Sequence, residues 1–157
     1  LHALLKILGI TLGPMLFLSV SEEFGWRGYL EPALLAVNRN SLLNHIFVGF
    51  VWGTWHFPVL VFAPGNTTTP LQLVMVVLGC VALAIIYGQM RLRSGTVWPC
   101  VVLHAVSNSA FVAVGSAGLL EFDPGTAVFV SLSSTSLAIV AAWWMTGLFV
   151  FARAPRN

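Results

Sequence analysis

Three apolar stretches of this chain each carry polar side chains able to do acid–base chemistry. Glu22, Glu23 and Arg27 follow the run from Leu4 to Val20, His56 lies in a second stretch, and His104 and Asn108 lie in a later one. A charge within or beside a bilayer-spanning segment costs roughly 2.5–3.5 kcal/mol on insertion scales, so such groups are kept for a purpose. If the first helix continues through Gly25 to Tyr29, Glu23 and Arg27 are i, i+4 neighbours in the favourable acid-first order and would pair. Glu22 is turned by about 100° from Glu23 on an α-helix and cannot share that partner equally well. One carboxylate is then neutralised and the other is left to act as a general base or acid. A charged cap at the headgroup interface accounts for the spacing of the two glutamates equally well.

Trp52 and His56 stand four apart on one helical face, with Trp55 and Phe57 flanking the histidine. A lone histidine in such a setting is more often packed against a backbone carbonyl than catalytic. His56, however, lies deep in a span, where an unsatisfied imidazole is costly, and it needs a polar partner from another helix. His104 and Asn108 are again four apart and project from one face. Taken alone they would serve as polar glue between helices. Together, a carboxylate base, two imidazoles and a carboxamide on three helices make a set able to activate water and stabilise an oxyanion. His45, beside Asn44 near the start of the second stretch, reads as interfacial and without a role, and His2 is equally uninformative.

The elements that must position these residues follow from composition. The chain is 58% hydrophobic and 8% charged, with six Trp and eleven Phe, and its mean hydropathy is +0.92. A soluble domain would carry about a quarter of its residues as charges, so the expected fold is all-α, a polytopic transmembrane helix bundle. Continuous apolar runs exclude the alternating strands of an outer-membrane barrel. The net charge of +2 comes from scattered cations with no basic run, which excludes a nucleic-acid partner and leaves membrane lipid. Cys80 and Cys100 in apolar surroundings read as small hydrophobic thiols.

A spanning helix needs about 20 apolar residues, and five stretches qualify: 3–21, 42–62, 71–89, 97–119 and 127–151. The connections are then 28–41, 63–70, 90–96 and 120–126. Arg39, then Arg91 with Arg93, then Arg153 with Arg156 alternate with connections lacking cations, which places the odd-numbered connections and the C-terminus in the cytoplasm. Pro14, Pro58 and Pro99 are points where a helix bends or begins. Asn66-Thr67-Thr68 has the form of a glycosylation sequon in a loop assigned outside. The chain opens on Leu1 and is read as one transmembrane domain, 1–157, with its motifs within about 16–115 and N-terminal spans lacking.

The motifs resemble those of the CAAX protease and bacteriocin-processing family, intramembrane proteases that include the type II CAAX prenyl endopeptidases and bacterial abortive-infection proteins. Glu22-Glu23-Phe24-Gly25-Trp26-Arg27 is similar to its EExxxR motif, Trp52-Gly53-Thr54-Trp55-His56 to FxxxH, and His104-Ala105-Val106-Ser107-Asn108 to HxxxN, in family order. Trp52 departs from the usual Phe and keeps an aromatic wall.

The resemblance implies an enzyme, a hydrolase that cuts a peptide bond of a membrane-associated or prenylated substrate. On that basis Glu22 with His56 would deprotonate the attacking water, His104 and Asn108 would bind the oxyanion, and Glu23, Arg27 and Trp52 would support the site. The family has been described both as metalloproteases and as metal-free glutamate enzymes. Glu22, His56 and His104 would make a two-histidine, one-carboxylate zinc set, yet no H-E-x-x-H pair makes metal the default. Asn108 suits an oxyanion donor better than a zinc ligand. The Phe-Gly-Trp form of the first motif points to a prokaryotic cell membrane. Two other classes stay open: a non-catalytic immunity or scaffold protein of the same fold, and a small transporter using Glu22 and the histidines as a proton relay. The intact four-residue set disfavours the first, and the lack of repeats disfavours the second.

Overall fold

The computed structural model describes residues 2–65, 68–116 and 137–153, which form an all-α bundle without strands among the described residues. Helix α1 (His2–Glu23) runs without a break through a π-helical turn, Phe24–Leu30, into α2 (Glu31–Val37). The junction residues Glu23 and Leu30 keep right-handed helical dihedrals. Pro32 falls in the first turn of α2, where a missing N–H is tolerated. Together these elements form one apolar rod from Leu4 to Val37, long enough to cross a bilayer. The expected connection 28–41 is therefore helical as far as Val37. Glu31, the charge within that helical part, did not force the chain out of the helix, because it meets His45 inside the bundle.

Asn40 caps α3 (Ser41–Trp55) by accepting from the Leu43 N–H at 3.1 Å. This helix ends just before His56, and α4 (Phe57–Phe62) continues the span. Pro58 explains the break, since it has no N–H to give to the carbonyl four residues back. Thr69 and Gln72 form a capping box at the start of α5 (Pro70–Ser94). Gly95 ends α5 in the left-handed conformation at φ 69°. Arg91 and Arg93 occupy its last turn, where cations favour the helix dipole. The expected connection 90–96 thus shrinks to the residues after Ser94. Helix α6 (Trp98–Ser116) and helix α7 (Leu137–Ala152) complete the bundle.

Four of these elements have the length and apolar character of membrane spans, and α7 is a shorter apolar helix. The remainder of the expected fifth span, 127–136, the acidic connection 120–126, and Asn66 and Thr67 of the sequon lie outside the described residues. The chain is nevertheless a membrane bundle by its own surface: Phe17, Phe62 and Met145 are exposed, as side chains facing lipid would be.

Packing is close where the site requires it. Helix α3 lies on α5, α1 on α6, and α5 on α7. Gly49 and Gly53 on α3 have GxxxG spacing. A Cβ on Gly49 would stand 2.8 Å from the Cys80 carbonyl oxygen, and one on Gly53 2.7 Å from the Val77 Cα. Only hydrogen at these two positions lets the backbones approach that closely. On α6, Val101, Ala105, Ser109 and Ala113 recur every fourth residue and are fully buried. Arg93 donates to the Val150 carbonyl at 2.8 Å, so α5 and α7 end on the same side. The cations Arg91, Arg93 and Arg153 gather at that end, as the charge alternation requires.

Candidate active site

The two adjacent glutamates are sorted by their surroundings. Glu23 is fully buried, and its Oε1 accepts from Arg27 Nη1 at 2.9 Å, across the i, i+4 spacing read from the sequence. The helix there is π rather than α, a local form that recurs at functional sites. Glu22 is only partly buried, and its Oε2 accepts the indole N–H of Trp52 at 2.6 Å. One carboxylate is therefore sealed into an ion pair and the other stays accessible.

Trp52 holds His56 as well. His56 Nδ1 lies 2.8 Å from the Trp52 carbonyl oxygen. A carbonyl can only accept, so Nδ1 carries the proton, and the neutral ring keeps its lone pair on Nε2. The break after Trp55 makes this bond, because the histidine sits at the junction of α3 and α4.

His104 is joined to the buried carboxylate. Its Nδ1 lies 2.9 Å from Glu23 Oε1, the oxygen that also accepts from Arg27. Again the acceptor fixes the proton on Nδ1. The Arg27 guanidinium stands 4.7 Å from the Trp52 ring centroid and 4.9 Å from that of Tyr87, within cation–π range. The Tyr87 and His104 rings are 5.9 Å apart. Arg27 and Glu23 thus stand behind His104, Trp52 and Tyr87, and the five form one packed polar and aromatic layer.

Glu22, His56, His104 and Asn108 all line one cavity of about 180 Å³, room for several waters. Trp52, Cys80, Leu83, Tyr87, Ser107 and Trp143 complete most of its wall. The four residues singled out in the sequence are therefore brought together, and Trp52 with them, while Glu23 and Arg27 stand behind them. Cys80 and Cys100 are free and buried. Among the described residues no three His, Cys, Asp or Glu side chains converge closely enough to hold a metal ion. Glu22, His56 and His104 share the cavity without converging on one point, and an engaged Nδ1 is what a histidine that ligates through Nε2 also shows.

Comparison with protein families matches residues 4–110 to the type II CAAX prenyl endopeptidase Rce1-like family. The chain belongs to that family. No curated protein and no solved structure matches it. The Rce1-like family is a protease family whose members are embedded in membranes, so peptide-bond hydrolysis in a membrane context is the activity that membership carries. The matched segment includes most of α1, all of α2 to α5 and most of α6, and with them Glu22, His56, His104 and Asn108.

Several members of this candidate site carry no signal in the sequence. The bond from His104 to Glu23 joins residues far apart in the chain, and nothing in the spacing of either motif announces it. Tyr87 and Cys80 on α5 and Trp143 on α7 looked like ordinary apolar content. His45, read as without a role, is fully buried and meets Glu31 of α2. Its neighbour Asn44 bonds to Asn38 and so satisfies the turn, which leaves the imidazole to face inward.

Proposed function

We propose that this chain is an intramembrane endopeptidase that hydrolyses a peptide bond of a membrane-associated substrate, prenylated at its C-terminus or anchored in the membrane of a prokaryotic cell. The observation that carries the reading is the sorting of Glu22 from Glu23 in a cavity shared with His56, His104 and Asn108. Glu22, with His56 Nε2, takes a proton from a water in the cavity. The resulting hydroxide attacks the scissile carbonyl carbon, and its C=O electron pair moves onto oxygen. Asn108 Nδ2–H donates to that oxyanion.

His104 donates from Nε2. Because Nδ1–H already faces Glu23, donation from Nε2 requires the imidazolium. As the C–N bond breaks, Glu22 returns its proton to the leaving amine. No step in this scheme uses a metal.

Cleavage of a membrane-tethered reporter in reconstituted membranes tests the reading. Glu22→Ala and His56→Ala are expected to lower the rate about 10²–10⁴-fold while the fold, followed by circular dichroism, is retained. Equal cleavage by the variants removes the assignment. Chelation followed by metal add-back on the wild type is expected to leave the rate unchanged; a loss restored by zinc overturns the metal-free mechanism alone.

A further inference from the structure

Further along the rod that carries Glu22 lies a second buried polar set, which the mechanism does not use. Glu31 Oε1 of α2 meets His45 Nδ1 of α3, and Gln89 Nε2 of α5 lies 3.0 Å from His45 Nε2. Glu31 is 1% exposed, His45 0% and Gln89 2%. A carboxylate only accepts, so Nδ1 carries the proton, and Nε2 accepts from the Gln89 amide. The result is one chain of polar contacts from α5 through α3 to α2. Gly88 makes room for it: a Cβ there would collide with the His45 ring and the Glu31 carboxylate. None of the three residues lines the cavity.

Stability alone is a poor reason for such a set. A buried ion pair often gives way to apolar residues of similar volume without loss, and its best-attested use is to fix register. Geometry supplies that use here. Glu22 is bonded to Trp52 and Glu31 meets His45, so two polar cross-links join the same two antiparallel rods along their length, beyond the Asn38–Asn44 bonds of the turn that connects them. They stand roughly 10–14 Å apart along the rods at 1.5 Å per residue. With one cross-link a rod can swing or rotate about it; with two, its depth and its facing are both set.

We propose that Glu31, His45 and Gln89 are positioning residues, a latch that holds the α1–α2 rod in register on α3 and α5 and so sets where Glu22 stands relative to Trp52 and His56. The inference rests on the endopeptidase reading for its effect on rate, though not for its effect on geometry.

The test uses the full chain in proteoliposomes with 5-fluorotryptophan incorporated, the Trp52 fluorine resonance being assigned with Trp52→Phe. Glu31→Leu and His45→Leu are each expected to shift that resonance and to lower kcat about tenfold or more with KM changed less than about twofold. Glu31→Gln, which keeps an acceptor for His45 Nδ1–H, is expected to recover most of both. The Glu31→Leu/His45→Leu double variant should be no worse than the poorer single one. A merely structural role would shrink the folded population and leave the folded Trp52 resonance in place; that result overturns the latch, as does wild-type kcat with an unmoved resonance in Glu31→Leu. Should the leucine variants fail to fold, Gln89→Leu removes only the outer link and is read in the same two ways. If the wild type cleaves no reporter, the endopeptidase reading falls while the Trp52 resonance still decides the latch.

Discussion

Trp52 donates its indole N–H to Glu22 at 2.6 Å, and its backbone carbonyl accepts from His56 Nδ1 at 2.8 Å. A single residue of α3 therefore orients both groups proposed to activate water, one through its side chain and the other through its backbone. Trp52 is held in turn, since Gly49 and Gly53 seat its helix directly on α5.

Trp52→Phe separates these two duties. The backbone bond to His56 survives, while the donor to Glu22 is lost. Removing one hydrogen bond to a charged group is worth about 1.5–3 kcal/mol, so kcat should fall by about ten- to a hundredfold with the fold intact. Full activity in this variant, measured on the tethered reporter, would show that the indole bond is dispensable.

Asn108→Ala leaves the proposed water-activating pair untouched and removes one oxyanion donor. Loss of such a donor in other hydrolases lowers kcat by about 10²–10³-fold, and the same is expected here with little change in KM. A rise in KM at constant kcat would instead assign Asn108 to substrate binding.

Arg27→Leu leaves Glu23 buried without its cation. Breaking a buried pair by removing one partner costs about 3–5 kcal/mol, and in this bundle the loss includes the stacking of the guanidinium on Trp52 and Tyr87. Unfolding in mixed detergent should show that loss, and the double variant Arg27→Leu/Glu23→Leu should recover part of it. An unchanged midpoint in the single variant contradicts the picture of a sealed ion pair.

Gly49→Leu places a side chain where the Val81 backbone and the Cys80 carbonyl already stand. Neither neighbour is a flexible side-chain tip, so α3 must move away from α5. Overpacking of this kind costs about 1–3 kcal/mol or more, and the displaced Trp52 should take activity with it. Gly25→Ala, at a position with open space around it, is the matched control and should be tolerated. Equal stability of the two variants would contradict the close α3–α5 contact.

The sequence by itself determined the class of the molecule and the identity of its reactive groups. Few charges and long apolar runs leave a helical membrane bundle as the available architecture, and polar side chains that survive in such runs must have work to do. The spacing of Glu23 and Arg27, of Trp52 and His56, and of His104 and Asn108 was readable because each pair lies on one helix, where i, i+4 geometry is local. Pro58 marked the break beside His56 for the same local reason. What joins one helix to another was not readable: Glu23 to His104, Trp52 to Glu22, Glu31 to His45. Those bonds depend on which faces meet: Gly49 and Gly53 seat α3 on α5, and α1 lies on α6. The same dependence explains why Glu31 and His45 looked like loop and interface. A charge beside a proline signals an exposed turn only while its partner is unknown. Once α2, α3 and α5 converge, the carboxylate and the imidazole are buried against each other, and only the tertiary structure supplies that convergence.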